Sequence, residues 1–212
     1  MDCCWKLWCC RDKRVDFYAI CEEKEDTMKK LDTELLLGAY AQGIFPMAQD
    51  GQILWFEPHQ RGVIPVDSRF HIPKGLRKAL KKSPFQIHHN RDFTAVIQAC
   101  SQREETWIDE EIMSSYSELF EQGFAHSFEC WDQEGLQGGL YGVRLGGAFF
   151  GESMFSRKSD ASKIALVALV QWMRSESMVL LDTQWMTDHL RQFGGYEVPK
   201  AEYRVMLGQA LS

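Results

Sequence analysis

The sequence predicts an α+β protein whose α-rich first half precedes a mixed α+β second half. Three observations carry this. Apolar residues recur at helical spacing between Asp32 and Gly123. The runs Ala125 to Trp131, Gly138 to Val143 and Ala148 to Ser153 are short, apolar or alternating, and separated by glycine pairs, as in a β-meander. Beyond them an apolar helical segment leads into a buried strand.

In order, residues 1–30 read as a poorly ordered extension, rich in cysteine and then in charge, with Cys21 to Asp26 separating an unusual Cys/Trp start from the first periodic segment. From Asp32 a helix places Leu35, Leu36, Ala39 and Tyr40 on one face until Gly43 and Pro46 end it. A strand follows around Ile53 to Phe56. Phe70 to Lys82 sets Ile72, Leu76 and Leu80 at spacing four and gathers Lys74, Arg77, Lys78, Lys81 and Lys82, which predicts an amphipathic helix with a basic face. Helices are expected over Phe93 to Cys100 and over Glu110 to Gln122, the latter closed by Gly123. After the meander come an apolar helix over Ala161 to Arg174, a buried strand over Val179 to Asp182 and a short helix over Thr187 to Phe193, stopped by Gly194-Gly195. Residues 31–90 are expected to form a small N-terminal domain carrying the basic helix, and residues 91–212 the larger domain.

Of 212 residues, 45% are hydrophobic and 12% aromatic, enough apolar mass for a true core. The net charge of −6 argues against wholesale electrostatic binding to nucleic acid, so an RNA contact requires a local basic patch. Cys3, Cys4, Cys9 and Cys10 crowd the start while Cys21, Cys100 and Cys130 stand alone, which points to a reducing cytoplasm rather than a disulfide framework. Lys6 interrupts the only early apolar run and a charged stretch follows it, unlike a secretory signal. No stretch is long enough to span a bilayer.

Four features could carry chemistry, each with a structural alternative. The lysine helix could neutralise RNA phosphates, or be a solvated face. Trp107 could stack on an unpaired base, or pack in a core. Glu152 lies among apolar neighbours in a glycine-rich hairpin, and a carboxylate there needs either an internal cation such as Lys163 or a cationic ligand. Asp182 and Gln184 end an apolar strand and should project to one side, where they could orient an amine attacking an ester; alternatively they form an Asx turn opening the next helix. Ser153 in Gly151-Glu-Ser-Met-Phe155 lacks the second glycine of a nucleophile elbow. His88 and His89 are adjacent and make a poor metal-binding pair, and the Cys3-Cys4 and Cys9-Cys10 pairs lack the usual zinc spacing.

Several strings together resemble the leucyl/phenylalanyl-tRNA-protein transferase family: Ala39-Tyr-Ala-Gln-Gly-Ile-Phe-Pro-Met47, Leu54-Trp-Phe-Glu-Pro58 with Arg61, Thr106-Trp-Ile108, Ala125-His-Ser127, Gly138 to Ser156, Ala161-Ser-Lys163, and Asp182-Thr-Gln184 with His189. The resemblance implies an acetyltransferase-like (GNAT-like) C-terminal domain behind a smaller N-terminal one, in a cytoplasmic, monomeric enzyme with no membrane association. It implies transfer of leucine or phenylalanine from leucyl-tRNA or phenylalanyl-tRNA to the N-terminal Arg or Lys of acceptor proteins, marking them for degradation. No cofactor or metal is implied, because the ester already carries the activation. Asp182 and Gln184 then look like the catalytic pair, with Gln184 contacting the amine and Asp182 polarising it. Leu140, Phe149, Leu166, Leu169, Met173 and Leu181 match an apolar donor pocket with Glu152 beside it. Lys74, Lys78, Lys81 and Lys82 match a basic cluster for the transfer RNA, and Trp107 a residue near its terminal adenosine. Phe56 stands where the family commonly has a second tryptophan, and the aliphatic Leu169 and Met173 tilt donor preference toward leucine.

A CoA-dependent acetyltransferase is the enzymatic rival, but Ser156 to Asp160, just before the Ala161 helix, contains no glycine to form a pyrophosphate turn. An RNA-binding module without catalysis is the non-enzymatic one.

Overall fold

A computed structural model describes residues 15–18, 31–102 and 106–212. The expected poorly ordered extension and its cysteine pairs therefore lie outside the described residues, except for a short strand, β1 (Val15–Tyr18). β1 and β2 (Phe45–Gln49) flank β3 (Gln52–Pro58) in an antiparallel three-stranded sheet. Helix α1 (Thr33–Tyr40) lies between β1 and β2 in the chain, its first turn capped by the Asp32 carboxylate accepting from the Leu35 amide at 2.8 Å. Leu36, Ala39 and Tyr40 point inward, whereas Leu35, expected on the same face, lies at the stripe's margin and is exposed.

A seven-stranded sheet forms the frame. It comprises β4 (Gln60–Ile64), β5 (Gln86–His89), β6 (Ala125–Asp132), β7 (Gly135–Leu145), β8 (Ala148–Ser156), β9 (Leu180–Asp182) and β10 (Tyr196–Pro199), in the order β10-β4-β9-β8-β7-β6-β5. β6 to β8 form the expected meander, extended by β5 at its edge. β4 and β5 come from before residue 90, so the large sheet runs across that position. Every neighbouring pair is antiparallel except β8 and β9, which run parallel and are joined by α5 (Ala161–Ser175). β9 is shorter than expected: Val179 is 62% exposed and outside it.

The remaining helices cover both faces. α2 (Lys74–Lys82) begins four residues later than its periodicity predicts, because Pro73 occupies the N-cap and drives the preceding Ile72 out of helical conformation. α3 (Phe93–Ser101) and α4 (Glu110–Glu121) match expectation, capped by Asp92 and Asp109, and Gly123 after α4 adopts the left-handed conformation of a helix stop. The short α6 (Asp188–Arg191) starts on Thr187 and ends before Gly194, also left-handed. α7 (Lys200–Leu211), with β4, β5 and β10, was not predicted from periodicity.

Alternation along the strands splits the core in two. Phe149 and Leu140 join α5 and Leu76 of α2 in one buried cluster. Phe150 and Tyr141, their neighbours in sequence, face the other way into a cluster with α1, α3, α4 and α7. Among the described residues no helix is long and apolar enough to cross a membrane. Strands β7 and β8 approach closely at Gly142, where an added Cβ would sit 2.1 Å from the Phe150 carbonyl oxygen. Gly142→Ala is expected to cost at least about 1–3 kcal/mol, because backbone rather than a flexible side chain blocks the methyl; equilibrium denaturant unfolding measures it.

Candidate active site

Parallel strands β8 and β9 pair only over Ala148–Phe150 and Leu180–Asp182. The chain then leaves the sheet at Thr183, and β8 continues without β9 on that side, so the carboxyl ends of the parallel pair diverge, the place where sites form in such sheets. Three polar side chains converge there: Asp182 ending β9, Gln184 in the turn after it, and Glu152 on β8.

Asp182 is 0% exposed, and both its oxygens are occupied. Oδ1 accepts from Arg61 Nε at 2.8 Å and from the Gln184 amide at 2.8 Å. Oδ2 accepts from Arg61 Nη2 and from the Tyr203 hydroxyl, each at 2.6 Å. Arg61 spends its remaining Nη1 on the Gly43 carbonyl at 2.8 Å, where α1 gives way to β2. Burial works against the guanidinium charge, but the adjoining Asp182 carboxylate outweighs it and holds the group above its ordinary range. Burial, with Asp182 adding to it, likewise keeps the Tyr203 hydroxyl protonated far above the usual phenol range.

Gln184 takes a left-handed backbone, φ 54°, unusual for a residue with a Cβ. Its amide bonds Asp182 and its carbonyl accepts from the Gly62 amide at 2.9 Å, so both ends of the peptide are held. This aims the side chain at Glu152, whose Oε1 accepts from Gln184 Nε2 at 3.1 Å and from the Tyr40 hydroxyl at 2.7 Å. Oε2 accepts from Tyr116 at 3.3 Å, and the two tyrosine hydroxyls bond each other.

Glu152 reaches these partners because it is the extra residue of a β-bulge. Gly142 pairs with Gly151 and Tyr141 with Ser153, leaving Glu152 unopposed on β7. Burial is the main cause that pushes its carboxyl up to about 8; the Asp182 charge adds to the rise, while donation from Tyr40 and Tyr116 and the Arg61 charge oppose it. Lys163, the internal cation considered as its partner, instead pairs with Asp160 at 2.8 Å. The Asx-turn alternative is realised in the Asp182–Gln184 bond, alongside the ion pair rather than in place of a site.

Leu140, Phe149, Leu166, Leu169, Met173 and Leu181 all belong to the buried cluster beneath α5. Leu76 of α2 joins the same cluster, which leaves Lys74, Lys78, Lys81 and Lys82 on the outside of that helix. Trp107 is on the other side of the sheet, partly buried against the second cluster, with its carbonyl accepting from the Ala48 amide at 3.1 Å. The two histidines considered as a pair diverge: His88 Nε2 contacts Arg91 Nη1 at 3.0 Å, and His89 stacks on Phe128. Arg61, Tyr40, Tyr116 and Tyr203 were not predicted as site residues. The sequence offers one signal for them, a charged or hydroxyl-bearing side chain inside an otherwise apolar stripe, which must find a polar partner when buried.

The sequence model described as leucyl/phenylalanyl-tRNA protein transferase matches residues 63–208, and the one described as its N-terminal domain matches residues 29–59. The chain belongs to the leucyl/phenylalanyl-tRNA protein transferase family. It is 59% identical over 187 residues to the leucyl/phenylalanyl-tRNA–protein transferase of Akkermansia muciniphila, covering 86% of this chain and 97% of that protein. It is 50% identical over 183 residues to that of Herpetosiphon aurantiacus, covering 86% and 96%. Among solved structures, FemX shares the fold at a TM-score of 0.53 and 10% identity, over 82% of this chain and 71% of that one. The transferase is therefore an aminoacyltransferase whose polar site lies where β8 and β9 part.

Because the Glu152 carboxyl titrates higher in the folded transferase than in an unfolded chain, the fold binds the proton more tightly. That contribution is fully present below the unfolded value and is lost as pH rises toward about 8. Glu152→Gln, which keeps an acceptor for Gln184 and the tyrosines, is expected to raise the unfolding temperature relative to the parent, with the gap widening from pH 5 to pH 8. Thermal unfolding of both proteins across that range measures it.

Proposed function

We propose that this transferase moves leucine or phenylalanine from its transfer RNA to the α-amine of an N-terminal Arg or Lys, tagging the acceptor for degradation in the cytoplasm. The observation that carries this reading is the convergence of Gln184 and Glu152 where the β8–β9 pairing ends, on the two strands whose Phe149 and Leu181 belong to the apolar cluster beneath α5. The acceptor amine is held by the Gln184 amide and Glu152, with Asp182 behind them as the second member of the catalytic pair. The donor's side chain enters the apolar cluster at Leu140, Phe149, Leu166, Leu169, Met173 and Leu181, which opens to admit it. Exclusion there rests on shape, since hydrophobic selection contributes only about 1–3 kcal/mol per methylene.

The reaction needs little besides position. The neutral amine attacks the ester carbonyl carbon, the new C–N bond replaces the bond to the ribose oxygen, and the amine proton ends on the released hydroxyl. Holding two reactants in register converts an encounter between solutes into a step within one complex, which is where most of the acceleration arises. The exposed lysines of α2 hold the transfer RNA backbone without reading bases, and Trp107 lies toward its terminal adenosine. The fold is GNAT-like and the chain acts as a monomer, with residues 31–90 and 91–212 as its smaller and larger functional regions.

Transfer of radiolabelled leucine from charged transfer RNA to an Arg-initiated peptide, without ATP or CoA, tests the reading against a peptide initiated by a neutral residue. Label on the Arg peptide alone is the expected result; label on neither, with RNA still bound, overturns it in favour of a binding module. Gln184→Ala is expected to lower kcat roughly 100-fold, the scale of a reactant misplaced by about 1 Å. Reversing Lys78 and Lys81 to glutamate should instead raise KM for charged RNA and flatten its salt dependence, since each lost phosphate contact removes about one unit of the log–log slope.

A further inference from the structure

We propose that Arg61 and Tyr203 are positioning residues for the transfer reaction, acting through Asp182 to fix the backbone of Gln184 and so aim its amide at Glu152. This rests on the functional reading above and assigns Asp182 a different part from contact with the amine. Its four short bonds, from Arg61 Nε, Arg61 Nη2, the Tyr203 hydroxyl and the Gln184 amide, occupy both oxygens of a fully buried carboxylate. Gln184 and Glu152 therefore touch the reactants while Asp182 stands behind them.

The geometry makes the chain of support continuous. Arg61 reaches Asp182 with two of its nitrogens and the Gly43 carbonyl with the third, and its next residue, Gly62, bonds the Gln184 carbonyl. Gly62 must be glycine for this approach, because a Cβ would lie 2.7 Å from the Trp185 carbonyl carbon and 2.8 Å from the Met186 amide. Tyr203 enters from α7, its ring 4.6 Å from the Arg61 guanidinium carbon and its hydroxyl on Asp182. The left-handed Gln184 is thus clamped by its amide through Asp182 and by its carbonyl through Gly62, and a residue strained in this way keeps its conformation only when its surroundings over-determine it. Without the clamp, Gln184 relaxes toward φ below zero and its side chain swings off Glu152.

Tyr203→Phe is the decisive variant, because phenylalanine keeps the ring over Arg61 and removes only the hydroxyl. The groups facing Glu152 are Tyr40 from α1, Tyr116 from α4, Asp182 from β9 and Arg61 from β4. Removing a donor from Asp182 leaves its charge less compensated, and a nearby like charge raises a carboxyl. The Glu152 carboxyl titration should then move further up. The expected result is a kcat about tenfold lower with KM for charged transfer RNA within about twofold of the parent, the signature of lost orientation rather than lost binding. Arg61→Lys, which keeps the charge but cannot bond both Asp182 oxygens and Gly43 together, should show the same split if it folds. Carbon-13 carboxyl titration of Glu152 in the ligand-free protein reports the same coupling without any assay. A folded Tyr203→Phe protein with parental kcat and an unmoved Glu152 titration overturns the proposal. So does an activity loss that merely tracks the unfolded fraction while the titration stays put. If the parent chain transfers nothing, the functional reading falls, and the titration still decides whether Tyr203 acts on Glu152 through Asp182.

Discussion

The buried pair between Arg61 and Asp182 is the constraint around which this structure is arranged. Neither group is accessible to water, and their separation in sequence is 121 residues. Taking two charges out of water costs several kcal/mol per ion, and their mutual attraction offsets this only when every remaining hydrogen-bonding position is filled. Here the filling is supplied by distant parts of the chain: Gly43 after α1, the turn at Gln184 and Tyr203 of α7. The pair thereby ties the first helix, the centre of the large sheet and the last helix to one point. Loss of either partner alone would strand a buried charge, which is why Tyr203 and the Gln184 turn, rather than the pair itself, are where the network can be perturbed while the fold survives.

The two carboxylates of the site illustrate how environment divides chemistry between identical groups. Asp182 receives two nitrogens of a guanidinium, a hydroxyl and a backbone amide. Glu152, a short distance along the neighbouring strand, receives two phenols and an amide, and burial pushes its carboxyl up to about 8. The β-bulge makes the difference. In an unbroken ladder the residue after Gly151 would oppose Tyr141 in regular register; the extra residue instead turns Glu152 into the gap where β9 has ended. A carboxyl poised near neutrality beside a fixed amide suits an amine that must be neutral to attack.

Much of the fold is legible in the sequence where one segment buries its own stripe. α1, α3, α4 and α5 announce themselves by apolar spacing and by caps at Asp32, Asp92 and Asp109, and the meander by its glycine-separated runs. β4 is different. Gln60-Arg-Gly-Val-Ile64 is too short and too mixed for periodicity to register, and it becomes a strand only because β9 and β10 flank it in space. α7 is likewise obscured: Tyr203, Leu207 and Ala210 hold its inner face, but Gly208 and exposed Val205 blur the pattern. The basic helix was legible in charge but misplaced at its start, since spacing alone does not weigh the stereochemistry of Pro73. For the site, the sequence marks Asp182, Gln184 and Glu152 as candidates, whereas Arg61 enters only as a motif residue without a role and Tyr203 not at all, because their meaning depends on what they meet in space.

Position of the site between two cores has a mechanical consequence. The apolar cluster under α5 and the polar network of Tyr40, Tyr116 and Gln184 lie on opposite faces of the same strand, with Phe149 in one, Phe150 in the other and Glu152 beyond them at the bulge. A donor side chain that enters the first cluster must displace packed neighbours, and dense interiors transmit such displacement rather than absorb it. The second face is cross-linked by polar contacts: its hydroxyls are bonded to each other and to the carboxyl, and the Arg61–Asp182 pair holds the turn beside them. Under the proposed function, donor accommodation therefore falls to the α5 side, where α2 rests on the same cluster through Leu76, and seating the amino acid and seating its RNA become adjustments of one packed layer.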